Sequence, residues 1–314
     1  MSGKKIAGAL AVALLTLAGT GAVARAADPD SCKIVRVADG GWTDNTAQNG
    51  VLTSILKGLG YQPNVSVLAV PIILEGMKGN GVDMWLDNWM PSQTAEAGPY
   101  LKDKTVESVA TNLEGAGYGP AVLDDAYAGG VKDLSDLHKF KKQFDGKIYG
   151  IEPGNDGNRI LQSAIDDPAN QLQGWELVES SEQAMLAQVD RFAKDKQWII
   201  FLAWAPHPVM SKMKLHYLTG FEKDGFGPST VHTLTRAGYT TACPNVGQLL
   251  KNLKFSMELE GSIMEAILAG TDGEVAATDW LKKNPGDLEG WLKGVTTFDG
   301  KDGLPAVKAS LGLN

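Results

Sequence analysis

The stretch KIVRVADGGWTDNTAQNGVLTSILKGLGYQPNVSVLAVPIILEGMKGNGVDMWLDNWMP, residues 33–91, decides the fold class. Residues 33–38 alternate apolar and charged side chains as a half-buried strand does, and 47–59 place apolar residues at helical spacing, closed by Gly60. A second strand is expected over 65–70, a short helix over 72–78 and a third strand over 82–85. This βαβαβ order implies a parallel sheet, whose functional loops gather at the carboxyl ends of its strands.

Outward from this stretch the rhythm repeats. After about Gly117 a helix is expected over 134–144, a strand over 147–151 and a helix over 158–165 behind the turn Gly154-Asn155-Asp156-Gly157. A strand over 175–178 follows, then a helix running to about Lys196 and opened by a capping box of Ser180 and Gln183. An apolar strand over 198–204 closes the unit. From Pro244 onward only helices are expected, over 246–253, 257–268, 274–283 and 287–295. They read as the chain returning to cover the first unit. The fold class is therefore α/β with two lobes: 27–116 with 226–314 forming the first and 117–225 the second. Gly115 to Gly119 (GAGYG) does not complete a dinucleotide loop and reads as a flexible crossover between the lobes.

Residues 1–26 stand apart. Lys4 and Lys5, the short apolar run 6–17 and the Ala24-Arg25-Ala26 site form a secretory signal peptide, cleaved after Ala26. The run is shorter than the roughly 20 residues a spanning helix needs. Its removal takes three basic residues and no acid, deepening the formal charge from −8 to −11. That acidity argues against nucleic acid, whose phosphates demand clustered Lys and Arg. It suits steering of cations, and equally simple solubility. In an oxidising compartment the two cysteines, Cys32 and Cys243, suggest one disulfide tying the start of the mature chain to a segment 211 positions later, with two free thiols the alternative.

Enzyme signatures are scarce. There is no G-x-S-x-G, P-loop, H-E-x-x-H or C-x-x-C, and His138, His207, His216 and His232 lack metal-ligand spacing, so neither metal nor cofactor is expected. Aromatic residues at strand ends carry more information. Trp42 follows the first strand beside Gly40 and Gly41, and Trp89 follows the third before Pro91. Tyr118 follows the crossover, and Trp204 ends the last strand of the second unit before Pro206 and Pro208. Trp85, Trp175, Trp198, Trp280 and Trp291 read as core. A quaternary ammonium has no N–H to hydrogen-bond. Aromatic faces can surround its methyl groups, each worth roughly 0.5–2 kcal/mol.

The segments GWTDN (41–45), DNWMP (87–91), GAGY (115–118), YGIEPGND (149–156), VESSEQ (178–183) and FLAWAPHP (201–208) resemble the choline and glycine-betaine family of periplasmic ABC-transporter binding proteins. The likeness is greatest to its choline-binding branch of rhizobial type and covers nearly the whole mature chain, both cysteines included. The resemblance implies a type II periplasmic binding fold with the ligand cleft between lobes, and an aromatic box of Trp42 and Trp89 from the first lobe with Tyr118 and Trp204 from the second. It further implies that Asp44 adds negative charge beside the cation and that Asn155 reaches the polar end of the solute. Turn and N-cap duty is the alternative for both. A membrane permease partner, a monomeric state and a periplasmic location follow from the same resemblance. Choline is the expected solute, since Asp and Asn can hold a hydroxyl whereas a carboxylate wants donors. Glycine betaine, carnitine and acetylcholine remain open. An exported choline-ester hydrolase using Asp44, Glu152 or His207 is the rival class, but no Ser or Cys stands in a recognisable nucleophile setting.

Overall fold

The computed structural model describes residues 27–313, so the expected signal peptide lies outside the described residues. The strand β1 (Ile34–Asp39) is followed by α1 (Thr43–Gly58), β2 (Gln62–Val67), α2 (Val70–Lys78), β3 (Met84–Met90) and α3 (Thr94–Lys102). Both β2 and β3 lie parallel to β1. The 18-residue strand β4 (Val106–Leu123) leads to α4 (Asp124–Ala128), β5 (Lys147–Tyr149), α5 (Asp156–Asp166), β6 (Glu176–Val178), α6 (Glu182–Lys194), β7 (Ile200–Ala205), α7 (Val209–Lys212) and β8 (Leu215–Tyr217). Here β5 pairs in parallel with both β6 and β7. Then come β9 (Gly227–Arg236), α8 (Tyr239–Ala242), α9 (Pro244–Asn252), α10 (Met257–Leu268), α11 (Gly273–Lys283), α12 (Asp287–Trp291) and α13 (Gly303–Ser310).

The two parallel groups belong to one curled sheet of order β2-β1-β3-β9-β4-β7-β5-β6, with β8 on β4. The join is made by β4 and β9, which run antiparallel from Val106 against Arg236 to Tyr118 against Gly227, with three register shifts between Ser108 and Ala116. From Gly117 onward β4 turns its other edge to β7. Two lobes result, each a set of parallel strands with flanking helices, and the carboxyl ends of β1, β3, β5 and β7 face a common cleft.

The first lobe is built around α1. Thirteen of its residues are buried, polar Asn45, Gln48 and Asn49 among them, because α10, α11 and α13 close over the side away from the sheet. At the closest point a Cβ on Gly50 would collide with the carbonyl of Gly273 in α11, so the helices meet backbone to backbone. Cys32 and Cys243 are disulfide-bonded across 211 positions. Beside the bridge the Asp28 carboxylate accepts the amides of Asn245 (2.8 Å) and Val246 (3.1 Å) in the first turn of α9, and the Tyr61 hydroxyl (2.9 Å). A carboxylate at a helix N-terminus also meets the favourable end of the helix dipole.

Several expectations need correction. Gly115 to Gly119 is not a flexible crossover: it lies inside β4, paired with β9 and β7. Trp89 and Tyr118 accordingly sit within strands instead of following them. The cap of α6 is Ser181, whose Oγ accepts the Ala184 amide at 3.1 Å, one residue later than the expected Ser180. The expected helix over 134–144 is a 3-10 segment, Leu134–Phe140. The expected strand over 65–70 begins earlier, at Gln62, and the one over 82–85 runs on to Met90.

Candidate functional site

The loops and strand ends facing the cleft border a small cavity lined by Trp42, Asp44, Trp89, Gln93, Tyr118, Ile151, Asn155, Asp156 and Trp204. All six expected site residues are among them. Trp42 stands at the N-cap of α1 and Asp44 in its first turn. Trp89 is the penultimate residue of β3, Tyr118 lies where β4 passes from β9 to β7, Trp204 is the penultimate residue of β7, and Asn155 caps α5. The four rings are buried. Tyr118 touches two of the others, with centroids 5.8 Å from Trp89 and 6.4 Å from Trp204, and its edge meets Phe226 at 5.1 Å.

Polar groups fix three of the rings. Trp42 Nε1 donates to Glu152 Oε2 (2.9 Å), Trp89 Nε1 to Asp87 Oδ1 (2.9 Å), and the Tyr118 hydroxyl to Asn155 Oδ1 (3.0 Å). Trp204 Nε1 is buried without a hydrogen-bond partner among the described residues. Asn155 Oδ1 also accepts the amides of Gly157 (2.7 Å) and Asn158 (3.4 Å). Its oxygen is therefore committed to the cap and to Tyr118, while Nδ2 lies near Asp156 Oδ1 at 3.3 Å. A Cβ on Gly157 would collide with the Tyr118 hydroxyl, which explains a glycine at that helical position.

The electrostatics are those of buried acids. Burial, reinforced by the charge of Glu182, pushes the Asp44 carboxyl up to about 8. Burial also raises Asp87 and Glu260 behind it, each further lifted by Asp44, and takes Asp156 up to about 6. Gln48 of α1 donates to Glu260 Oε1 at 2.6 Å, linking this group to α10. A cation in the cavity would meet π-faces and carboxylates that gain by ionising beside it.

Glu152 and His207 do not line the cavity. Glu152 holds the Trp42 indole and the Glu182 amide (3.1 Å). The Val209 amide donates to His207 Nδ1 (3.2 Å), so the ring proton sits on Nε2, facing Glu182 Oε1 at 3.1 Å. Glu182 in turn accepts the amide and the hydroxyl of Thr43. These residues bridge the lobes, and the nine lining residues include no Ser, Thr, Cys or His to serve as a nucleophile or its base.

Sequence reasoning missed Gln93, Ile151 and Asp156. Asp156 directly follows an N-cap, an ordinary place for a first-turn acid, and so gave no signal of a site. Gln93 enters from the turn before α3 and donates to Asp156 Oδ1 (3.2 Å) across the cleft, a contact with no local signal.

Comparison with known proteins agrees with this geometry. Residues 33–283 match the family model for the substrate binding domain of ABC-type glycine betaine transport system. A solved ABC-transporter choline binding protein in complex with choline is 51% identical at a TM-score of 0.89, covering 91% of this chain and 100% of its own. An ABC-transporter choline binding protein in unliganded semi-closed conformation is 50% identical at a TM-score of 0.82, covering 90% of this chain and 100% of its own. The glycine betaine/carnitine transport binding protein GbuC of Listeria monocytogenes is 30% identical over 161 residues, 51% of this chain and 54% of that protein. With a buried aromatic cavity between two lobes and a family model matched over residues 33–283, the chain belongs to the family of substrate-binding domains of ABC-type glycine betaine transport systems.

Proposed function

We propose that this protein captures choline for an ABC importer, holding the trimethylammonium group among Trp42, Trp89, Tyr118 and Trp204, with Asp44 supplying charge and Asn155 shaping the site through its hold on Tyr118. Family membership makes the chain an extracytoplasmic solute-binding component of a transport system with a membrane permease as partner. In our reading it binds without catalysis, works as a monomer and reaches the periplasm after cleavage behind Ala26. The lobes divide as 27–116 with 226–314, and 117–225. The observation that carries the reading is four aromatic side chains from opposite sides of one cleft, lining a single cavity beside a buried carboxylate. The half-identical choline binding protein supports it.

Calorimetric titration with choline, glycine betaine, carnitine and acetylcholine tests the solute. Choline should bind tightest, and the neutral isostere 3,3-dimethylbutanol at least about tenfold more weakly, since loss of cation–π attraction costs about 1–2 kcal/mol or more in a desolvated site. Equal binding of the isostere would show a merely apolar pocket. Acetylcholine should be recovered intact after incubation, and its hydrolysis would restore the esterase reading.

A further inference from the structure

The cavity holds one carboxylate from each side, Asp44 in α1 and Asp156 in α5, and its nine lining residues include no Lys, Arg or His. Asp156 is 1% exposed. One of its oxygens accepts from Gln93 and Asn155. The other, Oδ2, is buried with no hydrogen bond of good geometry among the described residues, although the Ser92 hydroxyl lies near enough to the carboxyl to favour its ionised form. The backbone amides that open α5 would ordinarily receive an anion. Those of Gly157 and Asn158 already donate to Asn155 Oδ1, which takes the Tyr118 hydroxyl as well. The end of the cavity at α5 thus presents a carboxyl oxygen with acceptor capacity left, while the backbone amides that open α5 are spent.

We infer that Asp156 sets the specificity of the site, accepting the hydroxyl proton of a quaternary-ammonium alcohol and repelling ligands that carry a carboxylate. The inference rests on the reading of the cavity as a quaternary-ammonium site. A hydroxyl directed at Oδ2 would satisfy a buried acceptor, and charge-assisted bonds of this kind are stronger than neutral ones. A carboxylate in the same place would meet Asp156 without any cation among the lining residues to offset it. The free amide of an Asn there would reverse this preference.

The test compares wild type with Asp156→Asn using choline, glycine betaine, tetramethylammonium and (2-chloroethyl)trimethylammonium, which has nearly the shape of choline but no O–H. Wild type should bind the chloro analogue about tenfold more weakly than choline, the scale of one hydrogen bond to a charged group. In Asp156→Asn that gap should close, glycine betaine should gain about tenfold, and tetramethylammonium should change little. An unchanged choline-to-betaine ratio, or a chloro-analogue gap that persists in the variant, overturns the assignment. A loss of tetramethylammonium as large as that of choline shows instead that Asp156 acts through the fold. Should the variant not fold, equal affinity of wild type for choline and its chloro analogue suffices to refute it. If wild type binds neither choline nor tetramethylammonium, the reading of the cavity fails and not the role of Asp156 alone.

Discussion

Trp204 is the cage ring whose N–H has no partner, so a change there disturbs no hydrogen bond. Trp204→Leu keeps an apolar body and removes the quadrupole, and choline should lose about 1–2 kcal/mol, roughly tenfold in affinity. The neutral isostere should lose little further, and equal losses for both would assign Trp204 to shape alone. Asp44 should make binding depend on pH. Its carboxyl, pushed up to about 8, should ionise beside a bound cation, so binding near neutrality should expel a proton. Affinity should rise with pH and level off above about 8, and titration in two buffers of different ionisation enthalpy counts the proton. Stability runs the other way. The folded state favours the protonated form, so this contribution is complete below the unfolded value of about 3.9 and is lost as pH climbs to about 8. The unliganded protein should melt lower at about pH 8 than at about pH 5, with added choline narrowing the difference. Affinity that stays flat between about pH 6 and 9 would remove Asp44 from the side of the cation. The rings were legible because aromatic residues at strand ends stand out beside Gly and Pro. Asp156 was not, because an acid after an N-cap is ordinary and its meaning depends on Gln93 across the cleft.

At the scale of elements, Asn155 joins the cap of α5 to the cage through Tyr118. Asn155→Ala should cost about 1 kcal/mol of stability as a lost N-cap and also release the Tyr118 ring. Choline and tetramethylammonium should therefore weaken together, read by thermal melting and by titration of both ligands. A loss confined to choline would give the carboxamide a direct hold on the hydroxyl and no part in placing the ring. Elements with clean periodicity, such as β1 and α10, were legible to within a residue or so. The first turn of α1 was not, because Thr43 to Thr46 are polar yet Thr43, Asp44 and Asn45 are buried, and a helix enclosed on all sides shows no stripe. The long β4 escaped for a similar reason: its glycines read as a loop, whereas pairing with β9 and β7 holds Gly117 and Gly119 in the strand and Gly115, with φ of 79°, sits at a register shift within it.

At the scale of the molecule, the Cys32–Cys243 bridge closes most of the described chain, 32–243, into one loop. In the chain-entropy model its removal should cost on the order of 4–5 kcal/mol. The Cys32→Ser/Cys243→Ser double variant should melt well below wild type while retaining choline affinity at low temperature, because neither residue lines the cavity. Unchanged melting would mean that the Asp28 anchor on α9 already holds the ends together. The two-lobed plan was legible from the repeated α/β rhythm, whereas the continuity of the sheet through β9 rests on pairings between distant segments. The same long-range arrangement orders the events of synthesis. The second lobe, one unbroken run of chain, holds all its strands and helices before the first lobe receives α9 to α13. Until those helices arrive α1 has no cover, and Cys32 waits as a lone thiol. When Cys243 emerges there is one bridge to make and no rival pairing within the chain, so oxidation needs no proofreading and its hazard lies between neighbouring molecules.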